Sequence, residues 1–445
     1  MAKTRLSAEE LARNFADLHP PYTRDEAALE ASRCLFCFDA PCTRACPTGI
    51  DVPRFIRQIL HDNPAGGAET ILEENVFGGS CARACPTEVL CEGACVDRAL
   101  HGGPVRIGRL QRYATDHAME RGLRFFEPGP ESGKRVAVIG AGPAGLSSAH
   151  ELRRMGHAVT VFDARDLPGG LNTIGISPYK ISTEFALAEV DWTEPMGVGL
   201  RLGAAVDGAM LAKLLREYDA VFLGVGLGPT IPLGIPGEDS NGVWEALDFI
   251  FQAHTGPYRS CEVGRRVVVI GGGNTAVDVA TQAVRLGAEE VVIAYRRSRE
   301  EMPAFAYEYE LAVADGVLFE WFALPSEFVT KGGALEGVRF RRARPEGSGR
   351  SAKLVPVPGS DFVIPCDMAV KALGQSPALD LLSGLEGIRI EKGRVLVDPK
   401  TGRTGVPGLY AGGDCVSLGA EIVNAVQEGK IAARAMDRSW REPER

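Results

Sequence analysis

One unit is written twice in this chain: an apolar strand that runs straight into a glycine-rich turn, a helix, and a second apolar strand. The first copy is Arg135-Val-Ala-Val-Ile-Gly-Ala-Gly-Pro-Ala-Gly145. A helix is predicted to follow through Arg154, then a strand from Ala158 to Phe162 that ends in Asp163. The second is Arg265-Arg-Val-Val-Val-Ile270 leading into Gly271-Gly-Gly273-Asn-Thr-Ala276, a helix to Leu286 and a strand from Glu290 to Ala294. Fully apolar strands of this kind form parallel sheet covered by helices, and the turn leaves a helix N-terminus open to phosphate. In the first copy Gly140 allows the tight turn, Gly142 lets a pyrophosphate approach the backbone, and Gly145 lets helix and strand pack closely. Ala276 stands for the third glycine in the second copy, a permitted variant. The expectation is an α/β chain with two Rossmann-like dinucleotide-binding folds.

The residues just after the second strand distinguish the two units. Asp163 stands where an acid accepts both hydroxyls of an adenosine ribose. The matching Ala294-Tyr295-Arg296-Arg297 has no acid, and an arginine there accommodates a ribose 2′-phosphate. The first unit is therefore expected to hold FAD and the second to prefer NADP over NAD. A late segment, Thr404-Gly-Val-Pro-Gly-Leu-Tyr-Ala-Gly-Gly-Asp414, supports the flavin. Its strand ends in a tight Gly-Gly-Asp turn whose carboxylate can bond a ribityl chain. The predicted helix from Glu421 to Ala435 offers its positive end to reduced flavin.

Eight of the eleven cysteines lie between residues 34 and 95, in two runs of four. One is Cys34-x2-Cys37-x4-Cys42-x3-Cys46-Pro47; the other is Cys81-x3-Cys85-Pro86-x4-Cys91-x3-Cys95. Thiolates in this number and spacing, with Cys-Pro steps, point to two iron–sulfur clusters. Eight cysteines could also make two structural zinc sites, but clusters suit a chain with two dinucleotide folds. From spacing alone Cys81 would be the eighth ligand. The isolated Cys261, Cys366 and Cys415 are expected to be packing residues.

The surrounding sequence bounds the rest. Residues 1–125 lack β-branched runs and carry short helical stretches, Asp25 to Arg33 and Val52 to Leu60, between the cysteine loops. Glu127-Pro-Gly-Pro-Glu-Ser-Gly-Lys134 reads as a linker. The polar N-terminus lacks the apolar core of a signal peptide, and no apolar run is long enough for a membrane span. The expected compartment is the cytoplasm. A net charge of −9 implies no broad surface for nucleic acid.

With these residues in hand, the chain resembles the glutamate synthase small-subunit family of flavoprotein reductases through GAGPAG, GGGNTA, KALGQ (Lys371 to Gln375) and TGVPGLYAGGD. ASRCLFCFDAPCTRACPTGIDV, CARACPTEVLCEGAC and GPVRIGRLQRYATD resemble the N-terminal half of dihydropyrimidine dehydrogenase. The resemblance implies a helical two-cluster domain over 1–132, an FAD domain over 133–256 and 371–445, and an NAD(P) domain over 257–370 inserted between its parts. It implies interleaved ligands: Cys34, Cys37, Cys42 and Cys95 on one 4Fe-4S cluster, and Cys46, Cys85, Cys91 and Gln111 on the other. Cys81 would then be no ligand.

The resemblance further implies FAD contacts at Gly140, Gly142, Pro143, Ala144, Gly145, Asp163, Gly170, Leu171, Lys180, Gly413, Asp414, Ala420 and Glu421. It implies NAD(P)H contacts at Gly272, Gly273, Asn274, Thr275, Arg296, Arg297 and Gly374. Asp163 stands where the family usually has Glu, and Lys180 where it usually has Arg. The chemistry belongs to the cofactors, so no catalytic acid or nucleophile is expected on the chain. No FMN-binding barrel fits in what remains, so the chain is expected to be the subunit through which electrons enter. The expected partner is an FMN- and cluster-bearing dihydropyrimidine dehydrogenase subunit that reduces uracil or thymine. The alternatives are a glutamate synthase small subunit serving a large amidotransferase subunit, a ferredoxin:NAD(P)H oxidoreductase subunit, or a non-catalytic cluster-bearing scaffold.

Overall fold

The computed structural model describes residues 2–3, 6–100, 102–347 and 349–441. Five helices frame the cysteine region: α1 (Arg24–Ser32), α2 (Val52–Leu60), α3 (Pro64–Glu74), α4 (Gly78–Ala84) and α5 (Ile107–Glu120). After them come β1 (Arg135–Ile139), α6 (Pro143–Arg154), β2 (Ala158–Phe162), α7 (Thr183–Val190), β3 (Gly199–Arg201) and β4 (Ala220–Leu223). The chain then forms β5 (Val243–Glu245), β6 (Arg266–Gly271), α8 (Asn274–Arg285), β7 (Glu290–Tyr295) and β8 (Leu318–Trp321). Next are β9 (Ala323–Lys331), β10 (Ala334–Glu346), β11 (Lys353–Pro365) and β12 (Met368–Ala372). It closes with β13 (Leu409–Ala411) and α9 (Ile422–Arg441).

The chain forms two compact units. One holds residues 18–173, 180–228 and 377–445; the other holds 1–17, 174–179 and 229–376. In the first, a five-stranded parallel sheet runs in the order β13-β4-β1-β2-β3. β1 is buried from Val136 to Ile139 because helices cover both faces, which its unbroken apolar sequence requires. The helix α9 lies against α6, and a Cβ on Gly429 would stand 2.2 Å from the Ala144 carbonyl oxygen. Only glycine permits that approach.

The cysteine helices of the same unit have their own core. Phe55, Ile56 and Ile59 of α2 face Ile71 and Leu72 of α3 and Leu110 and Ala114 of α5. Apolar side chains three and four residues apart form that inward stripe. α1 starts on a capping box in which Thr23 and Glu26 satisfy each other's backbone N–H. Asp51 caps α2 by accepting the Arg54 N–H.

The second unit carries a parallel sheet ordered β8-β7-β6-β12-β5 and an antiparallel sheet ordered β9-β10-β11. Phe328, Val338 and Phe340 of the antiparallel sheet are buried against Val268 and Ile270 of β6. The sequence reading starts this fold at residue 257 and ends it at 370. The sheet draws it wider, because β5 pairs with β12 through Val243 and Ala369. The described part of residues 1–17 also belongs here. Asn14 donates to the Arg285 carbonyl at 2.9 Å, and the Arg285 guanidinium donates back to the Asn14 carbonyl at 3.0 Å. Among the described residues, no helix is long and apolar enough to cross a membrane.

Candidate functional site

The two runs of cysteines fold into two groups. Cys34, Cys37, Cys42 and Cys95 line one cavity, floored by Val52, Ile56 and Ile107. To turn these thiols inward the loop holds Phe36 and Ala40 at φ of 48° and 38°, a region costly to residues with a Cβ. Burial pushes the Cys34 thiol up and the Cys42 thiol up to about 11.

The second group sits where α4 ends. Cys85 is the C-cap of α4, its N–H donating to the Cys81 carbonyl at 3.0 Å, with Cys91 and Cys46 near enough to repel its thiolate. The hydrogen bond from Cys81, and then burial, hold the Cys85 thiol well above its usual range; burial does the same for Cys91. Gln111 is buried on α5, and its Nε2 donates to the Gly78 carbonyl at 2.7 Å, at the start of α4. Cys34, Cys37, Cys42 and Cys95 therefore share one cavity, Cys46 and Cys91 lie near Cys85, and the Gln111 amide is turned to the Gly78 carbonyl. Among the described residues, no three His, Cys, Asp or Glu converge on a point that would hold a single metal ion. Loading must strip protons from thiols that hold them tightly, so ligation and deprotonation go together.

The first dinucleotide fold places its glycines as the phosphate reading requires. A Cβ on Gly140 would lie 2.2 Å from the Gly224 oxygen, and one on Gly145 would lie 1.9 Å from the Gly140 oxygen. Gly142 has no such neighbour inside 3.8 Å, and α6 opens there with Pro143, Ala144 and Gly145. Asp163 ends β2 and accepts the Ala141 N–H at 2.7 Å and the Arg165 N–H at 2.8 Å, so it also holds the glycine turn. The Gly169–Gly170–Leu171 turn lies over that loop, with Gly169 donating to the Ala141 oxygen at 2.7 Å. Gly413, at φ 77°, brings the Gly-Gly-Asp turn against Ala144. Burial raises the Asp414 carboxyl, which accepts the Ala420 N–H at 3.3 Å. Glu421 directly precedes α9, and Lys180 is half-buried between Tyr179 and Ile181.

Two residues in this region escaped the sequence reading. Asn172, next to Leu171, is buried with both amide atoms unpartnered. A buried amide in that state calls for a bound group or water. Glu428, pushed up to about 7 by burial, accepts the Gly413 N–H and so fixes the turn that aims Asp414. An unpartnered amide and an open glycine cradle fit a bound dinucleotide.

The second fold repeats the cradle. Gly273 caps α8, and a Cβ there would meet nothing within 4 Å. A Cβ on Gly272 would strike the Tyr295 ring at 2.5 Å. Asn274 and Thr275 open α8, and Asn274 Oδ1 accepts the Phe305 N–H at 3.1 Å. Gly374, at φ 85°, accepts the Ile231 N–H at 3.0 Å. The two arginines part company here. Arg297 donates to the Ala352 oxygen at 2.9 Å and pairs with Glu301 at 3.4 Å, while Arg296 is exposed at the end of β7.

Known proteins carry the same two parts. Residues 11–123 match the family described as dihydropyrimidine dehydrogenase domain II, 4Fe-4S cluster. Residues 134–429 match the family described as pyridine nucleotide-disulphide oxidoreductase. The NADP(+)-dependent formate dehydrogenase subunit beta of Moorella thermoacetica is 37% identical over 91% of this chain, which spans 60% of that relative's length. The glutamate synthase [NADPH] small chain of Escherichia coli is 34% identical over 94% of this chain and 92% of its own. The NAD-dependent dihydropyrimidine dehydrogenase subunit PreT of Escherichia coli is 35% identical over 95% and 97%. In fold, the chain matches Mycobacterium tuberculosis FprA in complex with NADPH, with a TM-score of 0.56 at 20% identity over 70% of this chain and 85% of that one.

Proposed function

The chain belongs to the pyridine nucleotide-disulphide oxidoreductase family, in the branch of the PreT and glutamate synthase small subunits, and we propose that it feeds electrons to a dihydropyrimidine dehydrogenase partner. It is an NAD(P)H-dependent iron–sulfur flavoprotein oxidoreductase whose cofactors are FAD and two 4Fe-4S clusters. When bound, FAD exchanges a two-electron hydride with NAD(P)H, and the clusters carry single electrons.

The chain's own residues supply position and field. On this reading, Cys34, Cys37, Cys42 and Cys95 hold one cluster, and Cys46, Cys85, Cys91 and Gln111 hold the other. Gly140 to Gly145 cradle the flavin's pyrophosphate, Asp163 meets its ribose, and Asp414 reaches its ribityl chain on a turn braced by Glu428. Gly272 to Thr275 receive the coenzyme's phosphates at the start of α8. Arg296 meets a 2′-phosphate.

The partner is proposed to be an FMN- and cluster-bearing subunit that reduces uracil or thymine. The observation that supports it is the match of residues 11–123 to the cluster domain of dihydropyrimidine dehydrogenase. A second reading, a glutamate synthase small subunit, is favoured by the exposed Arg296 and the 34% identity to an NADPH-named chain.

A coupled assay separates them. The purified chain is expected to reduce a dye with NAD(P)H and to leave uracil untouched. Adding a barrel subunit of the dihydropyrimidine dehydrogenase type is expected to start uracil reduction. Activity with glutamine and 2-oxoglutarate beside a large glutamate synthase subunit, and none with the barrel, would transfer the assignment to the second reading.

A further inference from the structure

The helix α3 ends where its own sequence works against it. Its last two residues are Glu73 and Glu74, and no basic residue stands in its last turn. The negative end of the helix dipole lies there too, and the last four carbonyls of a helix have no partners within it. The flavin-binding fold supplies what is missing. Lys430 of α9 donates through Nζ to the Glu74 carbonyl and to Glu74 Oε2, each at 2.6 Å. Arg154, the last residue of α6, donates to the Glu73 carbonyl at 3.3 Å.

This cap is built from buried parts. Lys430 is 4% exposed, and an ammonium out of water needs such partners. Beside it, Arg434 of α9 donates to Glu151 of α6 at 2.7 Å, and Glu151 accepts from Arg154 at 3.5 Å. Two helices of the flavin-binding fold are thus joined behind the end of α3.

The segment after α3 leads to the second cysteine group. Val76 and Phe77 are buried in one core with Ala144 of α6 and Val426 of α9. α4 begins at Gly78 and runs into Cys85, and the Gly78 carbonyl receives the Gln111 amide. The helix that carries Lys430 also carries Glu428, which holds the Gly413 N–H in the turn before Asp414. One helix therefore fixes both the turn offered to the flavin and the segment from which Cys85 hangs.

We propose that Lys430 is a positioning residue for electron passage from the flavin to the second cluster: its cap on α3 sets how Cys85 and Gln111 stand towards the Gly413 turn. The proposal rests on the two-cluster assignment. NAD(P)H yields two electrons and a proton as hydride. Each cluster takes one electron, the proton goes to solvent, and Lys430 exchanges neither.

The test is rapid mixing of the anaerobic, fully loaded protein with NAD(P)H. Absorbance follows flavin reduction, and freeze-quenched electron paramagnetic resonance follows cluster reduction. Iron, FAD and hydrogen exchange over residues 74–84 are measured on the same samples. Lys430→Met is expected to keep iron, FAD and the rate of flavin reduction, and to quicken the exchange. Its cluster reduction is expected to slow about tenfold, the scale that a misplacement under about 1 Å can produce. Lys430→Arg keeps the cation and is expected to recover most of that rate. Glu74→Gln leaves the bond to the Glu74 carbonyl; it is expected to slow the same phase less, and it replaces Lys430→Met if that variant loses iron. Iron lost from both variants, or flavin and cluster phases slowed alike, would reduce Lys430 to a structural tie and overturn the proposal. An unchanged cluster phase in Lys430→Met would overturn it as well, and so would a parent whose clusters NAD(P)H leaves oxidised. Unaltered protein without iron would instead defeat the cluster reading itself.

Discussion

Glu189 accepts the backbone N–H of Ser80 at 3.0 Å and takes its hydroxyl as well, so one buried carboxylate ties α7 to the helix that carries Cys81. An acid there costs free energy unless its oxygens are filled, and Gly79 and Ser80 fill them. Burial nevertheless lifts its carboxyl from 4.5 to about 7.

That shift gives a pH prediction. Between about 4.5 and 7 the folded chain keeps a proton on Glu189 that the unfolded chain has released. Its contribution to stability is full below 4.5, falls as pH rises to about 7 and is level above. Glu189→Gln is always neutral and is expected to flatten that part of the profile. The change across the window is on the order of 3 kcal/mol. Denaturant unfolding of both proteins from about pH 4.5 to about 8.5 measures it; parallel profiles would mean that Glu189 is ionised throughout.

Iron content tests the cysteine grouping. Anaerobically purified protein is expected to hold one FAD and about eight iron, as two 4Fe-4S clusters require. Cys34→Ser, in the cavity shared with Cys37, Cys42 and Cys95, and Cys85→Ser, in the other group, are each expected to lose about half of it. Two zinc ions in place of iron would refute the cluster reading.

Two glycines should part folding from binding. Gly145→Ala would press a methyl group to 1.9 Å from the Gly140 oxygen and is expected to abolish flavin retention. Gly273→Ala meets no protein atom within 4 Å, so its thermal stability should stay within about 0.5 kcal/mol of the parent. Its affinity for NAD(P)H should nevertheless drop, because the methyl group stands where the phosphates would lie. Unaltered coenzyme binding would place the phosphates elsewhere.

For coenzyme choice the two arginines are not equivalent. Arg296 is exposed, while Arg297 is held by Glu301 and Ala352. Arg296→Ala is expected to weaken NADPH about tenfold or more and leave NADH alone, since a charge-assisted bond contributes roughly 1.5–3 kcal/mol. Arg297→Ala is expected to disturb the turn and affect both coenzymes alike. Fluorescence titration of each variant with both coenzymes checks this, and equal small effects of Arg296→Ala would make it a solvated side chain.

Apolar stretches bounded by turn or capping residues were legible in the sequence. β2 spans Ala158–Phe162 and β13 spans Leu409–Ala411, as expected, because runs of strand-forming residues stop at residues that demand a turn. α2 spans Val52–Leu60 for the same kind of reason, an apolar face behind a capping acid. The features that escaped lacked such bounds or depended on distant contacts. β5 has three residues and becomes a strand only by pairing with Ala369 to Lys371. The long antiparallel strand β11 alternates weakly, since Pro356, Pro358 and Gly359 interrupt the pattern. Asn172, Glu189 and Glu428 stand alone in sequence; burial without a partner marks the first, and contacts with Ser80 and Gly413 mark the other two. Gln111 has no signature of its own, and its family resemblance singled it out.

The order in which the ribosome delivers these pieces has its own consequence. β13 lies beside β4, yet the chain makes the whole of residues 224–408 between them. The cysteine groups are complete once Gln111 has left the exit tunnel. The flavin cradle stays open on one side until Asp414 and α9 appear. Until then β4 is an unprotected edge, able to pair with other strands. Iron can therefore be loaded onto a nascent chain, whereas the flavin must wait until Asp414 and α9 have been made.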